Sequence, residues 1–335
     1  MADRLRARYG VLGSGPRFPD ITSDSWAIDA YRVARARGPW DLVVSTSSPY
    51  ATHVLASRLR RTGRASAWLA DYRDLWTDHH ALPGLPVVRL VERVIERRVL
   101  QAADVVTTVS APLAERLRRQ LMTKDVHVIE NGVDPDDFAP LDPEPIFPRD
   151  GRVRLVYTGS IHPQQNVDAF FEALAVLARR GDSDIDRLDV QIATWTASYV
   201  RARAGRAGVA HLVTIRDAVP RDEALRMQRD ADFLIFLPWA DRAETGVLTG
   251  KVFEYICSGT PILMMGCDHL ESAQRLVLDE GRGVRLPDAA SIASFLSATL
   301  NGASHVPPRR APGIADRYSR PRLADRLLDL AFVPS

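Results

Sequence analysis

Short runs of β-branched and other apolar residues alternate with longer amphipathic stretches along most of the chain. In the first half the pattern predicts strands at 41–46, 67–70, 104–109 and 126–130. In the second half it predicts strands at 154–158, 189–193, 213–215, 233–237 and 261–265. Helical stretches separate these runs, and such alternation is typical of βαβ units in parallel sheets. We therefore expect two doubly wound, Rossmann-like α/β domains.

A proline-rich stretch separates the two series of strands. Residues 134–149 combine prolines with acidic residues and have no hydrophobic periodicity, as a linker does. We expect an N-terminal domain at 1–134, a hinge at 135–150 and a C-terminal domain at 151–310. A terminal helical segment at 311–335 would cross back to the first domain. Ligands of such sheets bind beyond the carboxyl ends of the strands, and here we also expect them in a cleft between domains.

Composition and charge exclude several classes of protein. The 44 lysines and arginines nearly balance 42 acidic residues, for a net charge of +2, which argues against nucleic acid as a partner. The longest apolar run, at 233–237, is far shorter than the ~20 residues of a membrane span. The charged N-terminus lacks the apolar segment of a signal peptide, and two cysteines without metal-ligand spacing fit a reducing compartment. We expect a cytoplasmic protein.

The segment 244–262 carries the strongest candidate chemistry. Thr249 and Gly250 precede a helix predicted to begin near Lys251, and free N–H groups at a helix start attract anions. Lys251 is one of only two lysines in the chain. Glu254, three residues further, can accept both hydroxyl hydrogen bonds of a ribose diol. An isolated K-x-x-E is more often a surface ion pair, so this segment gains weight only from its context.

Five segments in order resemble one enzyme family. They are K-V-F-E-Y-I-C-S-G-T-P-I from Lys251, D-Y-R-D-L-W from Asp71, A-D through V-S at 103–110, I-E-N-G-V-D from Ile129, and Y-T-G from Tyr157. Together they resemble family 4 glycosyltransferases of the D-x-R-D-x-W branch, which have the GT-B fold. The resemblance spans roughly residues 25–335.

The resemblance implies a retaining, metal-independent transferase that uses a nucleotide-diphosphate sugar, with UDP as the expected nucleotide, and no other cofactor. Hexose or N-acetylhexosamine would pass to a hydroxyl group of a glycan, a lipid carrier or a small natural product. The donor would lie on the second domain. The implied donor-binding residues are Gly159, Ser160, Val219, Leu248, Thr249, Gly250, Lys251 and Glu254.

The same resemblance places the acceptor on the first domain. The implied acceptor-side residues are Ser47, Ser48, Asp71, Arg73, Asp78 and His79. Arg73 and Asp74 join Lys251 and Glu244 as the candidate catalytic residues, while Asn131 and Asp134 would set the hinge. From its position after a strand, the Ser-rich segment 45–48 also reads as an N-cap, which explains one serine.

The chain departs from the family at three places. Many members carry a second glutamate eight residues before the ribose glutamate, where this chain has Gly246; Glu244 is the nearest substitute. The basic residues that often follow Y-x-G are replaced around Ser160 and His162, so phosphate binding would depend more on Lys251. The first predicted strand begins only at residue 41, so we expect a first domain shortened at its N-terminus, with 10–16 as the only glycine-rich candidate loop.

Other signals favour ordinary structural roles. The acidic run 182–186 lacks the glycine and closing acid of a calcium loop and is read as a solvated turn. His79 and His80 have no partner ligands at metal spacing. Helix 88–98 is read as core-packed with a charged face, weak membrane-surface contact being the alternative. Two functions outside transfer also remain: a GT-B sugar-nucleotide epimerase and a non-catalytic sugar-nucleotide-binding protein.

Overall fold

A computed structural model describes residues 25–78, 86–122, 126–138, 141–180, 184–239, 242, 246–309 and 316–332. The chain divides into two compact units. Unit 1 comprises the residues up to Glu130 and those from Ala324 onward, and unit 2 comprises Asn131–Leu323. The predicted hinge 135–150 thus falls inside unit 2, whose boundary lies four residues ahead of the predicted one at 134.

Unit 1 is built around a four-stranded parallel sheet. Its strands are β1 (Trp40–Ser47), β2 (Ala65–Tyr72), β3 (Val105–Thr108) and β4 (Val126–Val128), in the order β1-β2-β3-β4. Its helices are α1 (Trp26–Arg37), α2 (Ala51–Arg61), α3 (Pro86–Leu100) and α4 (Ala111–Leu121). Trp68, Tyr72 and Trp76 are fully buried beside this sheet. Most residues of β2 and β3 are buried, as is typical of the inner strands of a parallel sheet, whereas β1 at the sheet edge is mostly exposed or half-buried.

Helix α3 is turned the opposite way from the sequence prediction. Val87, Leu90, Val91 and Val94 are 75%, 63%, 55% and 45% exposed, while Glu92 and Glu96 are buried. The inward face is polar because Thr77 and Gln120 donate hydrogen bonds to the Glu96 carboxylate. The prediction of a core-packed apolar face for this helix is wrong.

Unit 2 contains the remaining strands. They are β5 (Val153–Thr158), β6 (Leu188–Ala193), β7 (Val213–Arg216), β8 (Phe233–Phe236), β9 (Ile262–Met265) and β10 (Gly283–Leu286). The helices are α5 (Val167–Arg179), α6 (Ala197–Arg206), α7 (Arg221–Asp230), α8 (Gly250–Ser258), α9 (Ser272–Asp279) and α10 (Ala289–Leu300). A last helix, α11 (Arg320–Phe332), runs from unit 2 into unit 1, where Arg326 lies 3.3 Å from Glu130. This return to the first domain was predicted.

The sheet of unit 2 has a reversal in strand order at its centre. The order is β10-β9-β8-β5-β6-β7, and all neighbouring pairs are parallel. Chain order therefore runs outward in both directions from β5 and β8. Such a switch point leaves a crevice beyond the carboxyl ends of the two strands, where doubly wound sheets bind ligands. Phe170, Phe171 and Leu174 of α5 anchor the core on one face.

Several predicted features fall where the structure describes nothing. The glycine-rich segment 10–16, His79, His80 and Glu244 lie outside the described residues, as do parts of the acidic run 182–186 and of the terminal segment 311–335. Within the described parts of the chain, no helix is both long and apolar enough to cross a membrane.

Candidate active site

A cavity of about 190 Å³ opens at the switch point of unit 2. Ser160 follows β5, and Leu237, Pro238 and Trp239 follow β8, so residues from both central strands line it. Thr249 and Lys251 contribute from the start of α8. The cavity therefore brings together the ends of β5 and β8 and the first turn of one helix.

Lys251 supplies the cation of this cavity. Its Nζ donates to the Tyr157 hydroxyl at 2.5 Å and to the Ser160 carbonyl at 3.5 Å, and lies 4.0 Å from the centre of the Tyr157 ring. Burial lowers the pKa of Lys251 to about 7, against the opposing effect of Glu254. The ammonium thus has no carboxylate as a direct partner among the contacts described, and an anion entering the cavity would stabilise its charged form.

Gly159 allows the lysine to lie there. Its backbone has φ +110°, and a Cβ at this position would stand 2.8 Å from Lys251 Cε and 3.0 Å from Nζ. An L side chain is strained at this φ and would displace the ammonium. The glycine of the Y-x-G turn therefore allows a close contact with a side chain from α8.

The N-terminus of α8 points free N–H groups toward solvent. Thr249 is the N-cap, its side chain makes no capping hydrogen bond, and both Thr249 and Gly250 are exposed. Nothing lies within 4 Å of the position of a Cβ on Gly250. An open helix start with Lys251 in its first turn is suited to a diphosphate.

Glu254 lies one turn further along α8 and is held by two side chains. Arg221 Nη1 donates to Oε1 at 2.8 Å, and Gln228 Nε2 donates to Oε2 at 3.4 Å. Arg221 also donates to both carboxylate oxygens of Asp137. Each carboxylate oxygen of Glu254 keeps a second lone pair, so the group is oriented and can still accept hydroxyl hydrogen bonds.

Part of the cavity wall is aromatic, and the buried residue Glu271 also belongs to the lining. The His162 ring stacks on Trp239 at a centroid distance of 5.6 Å. Burial, and secondarily the charge of Lys251, lowers the pKa of His162 below its ordinary value. Gln165 Nε2 donates to the Leu237 carbonyl at 2.6 Å. His162 and Gln165, which stand where the family often has basic residues, thus form with Trp239 an uncharged surface. Such a surface is suited to packing against a ring of a ligand.

The predicted hinge residues belong to two different local contacts. Asn131 Nδ2 donates to the Leu248 carbonyl at 2.6 Å. Leu248 lies two residues before α8, and Lys251 is in the first turn of that helix. Asp134 caps a short 3₁₀ turn, Pro135–Asp137, by accepting from the Asp136 N–H at 3.1 Å. Asn131 is therefore a neighbour of the candidate donor site itself. Val219, predicted on the donor side, lies half-buried in the loop between β7 and α7.

In unit 1, the two predicted residues Asp71 and Arg73 are joined to each other. Asp71 is buried at the end of β2 and accepts from Thr107 Oγ1 at 2.6 Å and from Arg73 Nε at 2.6 Å. Arg73 Nη1 also donates to the Glu130 carbonyl at 3.2 Å. These contacts give both side chains a role within the fold.

The other predicted acceptor-side residues differ in whether they make contacts within the fold or are exposed. Ser47 is buried and donates to the Asp74 carbonyl at 3.2 Å, whereas Ser48 beside it is exposed. The Asp78 carboxylate accepts from Arg89 at 2.9 Å and Arg93 at 3.1 Å, so it anchors α3. Among the described residues of this group, Ser48 is the one most open to a ligand.

Sequence reasoning missed several residues of the cavity and its surroundings, among them Tyr157 as a hydroxyl partner, Arg221, Gln228, Asp137, Trp239 and Glu271. Tyr157 stood in the Y-T-G motif and could have been found there. Arg221 is one of 42 arginines, and its partners are remote in sequence, so no local pattern marks it.

Comparisons with known proteins come from sequence and from structure. Residues 2–137 match the model of Glycosyltransferase Family 4. No curated protein matches the chain significantly in sequence. The family match thus covers most of unit 1, and not the donor-side cavity of unit 2.

Solved structures match over both units. Sucrose-phosphate synthase from Thermosynechococcus elongatus has a TM-score of 0.60 at 15% identity, with 91% of this chain and 73% of that chain covered. A glycosyltransferase from Rickettsia africae ESF-5 has a TM-score of 0.62 at 12% identity, with coverage of 91% and 79%. A protein described as a putative UDP-N-acetylglucosamine 2-epimerase, from Listeria monocytogenes, has a TM-score of 0.57 at 13% identity, with coverage of 91% and 77%. The chain has the GT-B fold, and residues 2–137 match the model of Glycosyltransferase Family 4.

Proposed function

We propose that this protein is a retaining glycosyltransferase that moves a hexose or N-acetylhexosamine from a UDP-linked sugar to a hydroxyl acceptor. One observation carries the proposal. At the switch point of unit 2, Lys251 and the open N-terminus of α8 border a cavity, and the oriented carboxylate of Glu254 lies one turn further along the same helix. These groups suit a diphosphate and a ribose, the two parts common to nucleotide-sugar donors. The family match of unit 1 and the GT-B fold agree with this function.

In the proposed reaction the protein acts on the leaving group. The bond between the anomeric carbon and the diphosphate oxygen breaks, and the bond to the acceptor hydroxyl forms on the same face of the sugar. Lys251 and the amides at 248–250 would stabilise the charge that develops on the diphosphate, and Glu254 would hold the ribose. The uncharged His162–Trp239 surface would accept the sugar or the base ring. Positioning and electrostatic stabilisation then supply the catalysis, and no metal is required.

Nucleotide binding tests the donor half of the proposal. UDP should raise the unfolding temperature of the full chain, and Glu254→Ala should reduce that rise by removing the ribose acceptor. Glu172→Ala is a matched control, because Glu172 lies exposed on α5 and makes no hydrogen bond or ion pair with any described residue. Equal protection of wild type and Glu254→Ala by UDP would contradict the assigned role of Glu254.

Turnover separates the candidate functions. A panel of UDP-sugars with glycan, lipid-carrier and small aglycone acceptors should release UDP only when an acceptor is present. Change of the donor sugar without an acceptor would instead support an epimerase, the activity named in the description of the Listeria monocytogenes structure. UDP binding with no turnover of any donor would support a non-catalytic binding protein.

Contact with a membrane surface is a further part of the proposal. The exposed apolar face of α3 carries Arg98 within it, and Arg97 borders it, so the face combines apolar and basic side chains as surface-bound helices do. The wild-type chain should sediment with vesicles that contain anionic lipid. A smaller fraction of the Leu90→Ser/Val94→Ser variant should sediment with them. Equal sedimentation of both proteins would contradict membrane contact through α3.

We propose the cytoplasm as the compartment.

A further inference from the structure

A second cavity, of about 440 Å³, lies at the opposite edge of the unit 2 sheet. Arg154 is the second residue of β5, and Asp232 directly precedes β8, so both belong to the amino ends of the two central strands. The candidate donor cavity lies beyond the carboxyl ends of the same strands. Because β5 has six residues at about 3.3 Å each, the two cavities are separated by roughly 20 Å of sheet.

Arginine dominates the lining of this second cavity. Five of its lining residues are arginines: Arg149, Arg152, Arg154, Arg229 and Arg309. Two are aspartates, Asp230 and Asp232. Phe147 and the neighbouring prolines add an apolar wall, and Arg154 lies 5.5 Å above the Phe147 ring.

The two aspartates are already occupied by contacts within the fold. Asp230 accepts from Arg229 at 2.7 Å and 2.9 Å, and from the Ile146 N–H at 2.9 Å. Asp232 accepts from the Arg154 N–H at 2.7 Å. The Arg154 guanidinium in turn binds Asp150 at 2.7 Å and lies 3.3 Å from Asp189. These pairs account for Arg154, Arg229 and the carboxylates of the lining.

Three of the lining guanidinium groups make no hydrogen bond to a carboxylate of a described residue. Arg149 is exposed and makes no hydrogen bond or ion pair with any described residue. Arg309 is exposed and donates through Nη2 to the Thr260 hydroxyl at 3.0 Å, a neutral partner. Arg152 is 54% exposed, with its Nε 3.8 Å from Asp150. Arg309 also lies close enough to Asp230 to help lower the pKa of that carboxyl. The lining still holds more guanidiniums than carboxylates, and guanidiniums gathered around one concave surface attract anions, since their planar donor groups match phosphate oxygens.

We propose that this cavity is an anion site for a small phosphorylated ligand, separate from the candidate donor site. Arg149, Arg152 and Arg309 would bind the phosphate oxygens, and the wall formed by Phe147 and the prolines would contact the uncharged remainder of the ligand. Because every residue of the cavity lies in unit 2 and at the amino edge of its sheet, the site does not depend on the proposed glycosyl transfer.

Calorimetry with inorganic pyrophosphate tests the site on the full chain. The titration is carried out at constant ionic strength with saturating UDP present, so that the candidate donor site is occupied. We expect binding of one pyrophosphate with a Kd below about 1 mM, and a loss of at least about 10-fold in Arg149→Ala/Arg309→Ala, because two charge-assisted contacts disappear. Arg179→Ala/Arg206→Ala is the control, because both arginines are exposed and their side chains make no hydrogen bond or ion pair with described residues. This double substitution changes the net charge by the same amount.

The outcomes separate the possibilities. Weakening by the first double variant and not by the second supports the site. No binding to wild type, or equal weakening by both double variants, overturns it, since the latter would mean unspecific attraction to a basic surface. Loss of the pyrophosphate heat when UDP is added also overturns it, because the anion then occupies the donor cavity. If UDP itself fails to bind, the proposed function fails, and the two double variants still decide this site without UDP. Unfolding temperatures confirm that both double variants are folded.

Discussion

At the scale of single residues, the ionisation of Lys251 predicts how nucleotide binding depends on pH. The pKa of Lys251 is lowered to about 7 by burial, so at pH 8 most of the free protein carries a neutral amine. A bound diphosphate favours the ammonium and raises that pKa. UDP binding at pH 8 should therefore take up protons, and UDP affinity should fall as the pH rises above 7. Calorimetry in buffers of different ionisation enthalpy measures the uptake.

Lys251→Arg is the control for this prediction. Arginine keeps its charge throughout the accessible pH range, so its binding of UDP should show no proton uptake from this position. Lys251→Met should bind UDP weakly at every pH. Proton uptake that persists undiminished in Lys251→Arg would mean that another group, such as His162, titrates on binding.

Gly159 offers a second prediction at this scale. Gly159→Ala should weaken UDP binding at least about 10-fold, because the new Cβ would stand 2.8 Å from Lys251 Cε and move the ammonium. Gly208→Ala is the control: Gly208 also has positive φ, at +73°, but nothing lies within 4 Å of its Cβ position. Both variants carry the backbone strain, so a difference in UDP affinity isolates the contact with Lys251. Equal affinity of the two variants would contradict it.

The residues that the sequence could identify are those in local motifs. Lys251 and Gly159 stood in separate motifs, and the structure places them in contact across 92 positions of the chain. The role of Lys251 in nucleotide binding stays a prediction, as do the roles of the other assigned residues. Arg221 could not be predicted, because its partners Asp137 and Glu254 approach it only through the fold.

At the scale of elements, helix α3 illustrates the limit of hydrophobic periodicity. The period places Leu90 and Val94 on one face and Glu92 and Glu96 on another, but it does not say which face lies inward. The choice depends on hydrogen bonds from Thr77 and Gln120, which come from other segments. Two further elements escaped prediction: α1, whose apolar residues Ile28 and Val33 are exposed, and β10, a four-residue strand that begins with glycine.

Buried Glu96 predicts a specific dependence of stability on pH. Burial raises its pKa from 4.5 to about 7, so the folded state holds the proton more tightly than the unfolded state. The resulting contribution to the free energy of unfolding is at most about 3 kcal/mol. It is fully present below pH 4.5 and is lost as the pH rises toward 7. The Glu96→Gln variant has no group that can ionise at this position. Its free energy of unfolding should therefore increase relative to that of wild type between pH 5 and pH 8. Urea unfolding at both pH values measures the difference.

Glu115→Gln serves as the control for Glu96→Gln. Glu115 lies on α4, its side chain is 57% exposed, and its partner Arg119 is at 3.6 Å. Its substitution should leave the difference from wild type nearly unchanged over this pH range, because exposed ion pairs contribute little. A flat comparison for Glu96→Gln as well would show that Glu96 ionises without cost in the folded protein.

At the scale of the whole molecule, strand order could be expected only in outline. Alternation of strands and helices predicts parallel sheets, and the comparison structures agree with the GT-B fold. It does not predict which strands are central, yet β5 and β8 decide where the cavity forms. The boundary between the units could not be read from the proline-rich linker either, because residues 141–150 pack with unit 2 through contacts such as Ile146 with Asp230.

The segment at the unit boundary is tied to the candidate donor site at two points. Asn131 donates to the Leu248 carbonyl at 2.6 Å, and Asp137 binds Arg221, which holds Glu254 at 2.8 Å. UDP at this site should therefore reduce the mobility of residues 131–138. Hydrogen–deuterium exchange of peptides covering this segment should slow when UDP is added.

Asp137→Asn tests the second of these ties. The guanidinium of Arg221 holds the pKa of Asp137 below its usual range, so the carboxylate is charged at neutral pH and the substitution removes an ion pair. Loss of about 1 kcal/mol in the orientation of Glu254 should weaken UDP binding about 5-fold and diminish the slowing of exchange at 131–138. Asp136→Asn makes the same charge change at an exposed neighbour whose side chain has no described partner. If both variants bind UDP like wild type while exchange still slows, the coupling runs through Asn131 and Leu248 alone.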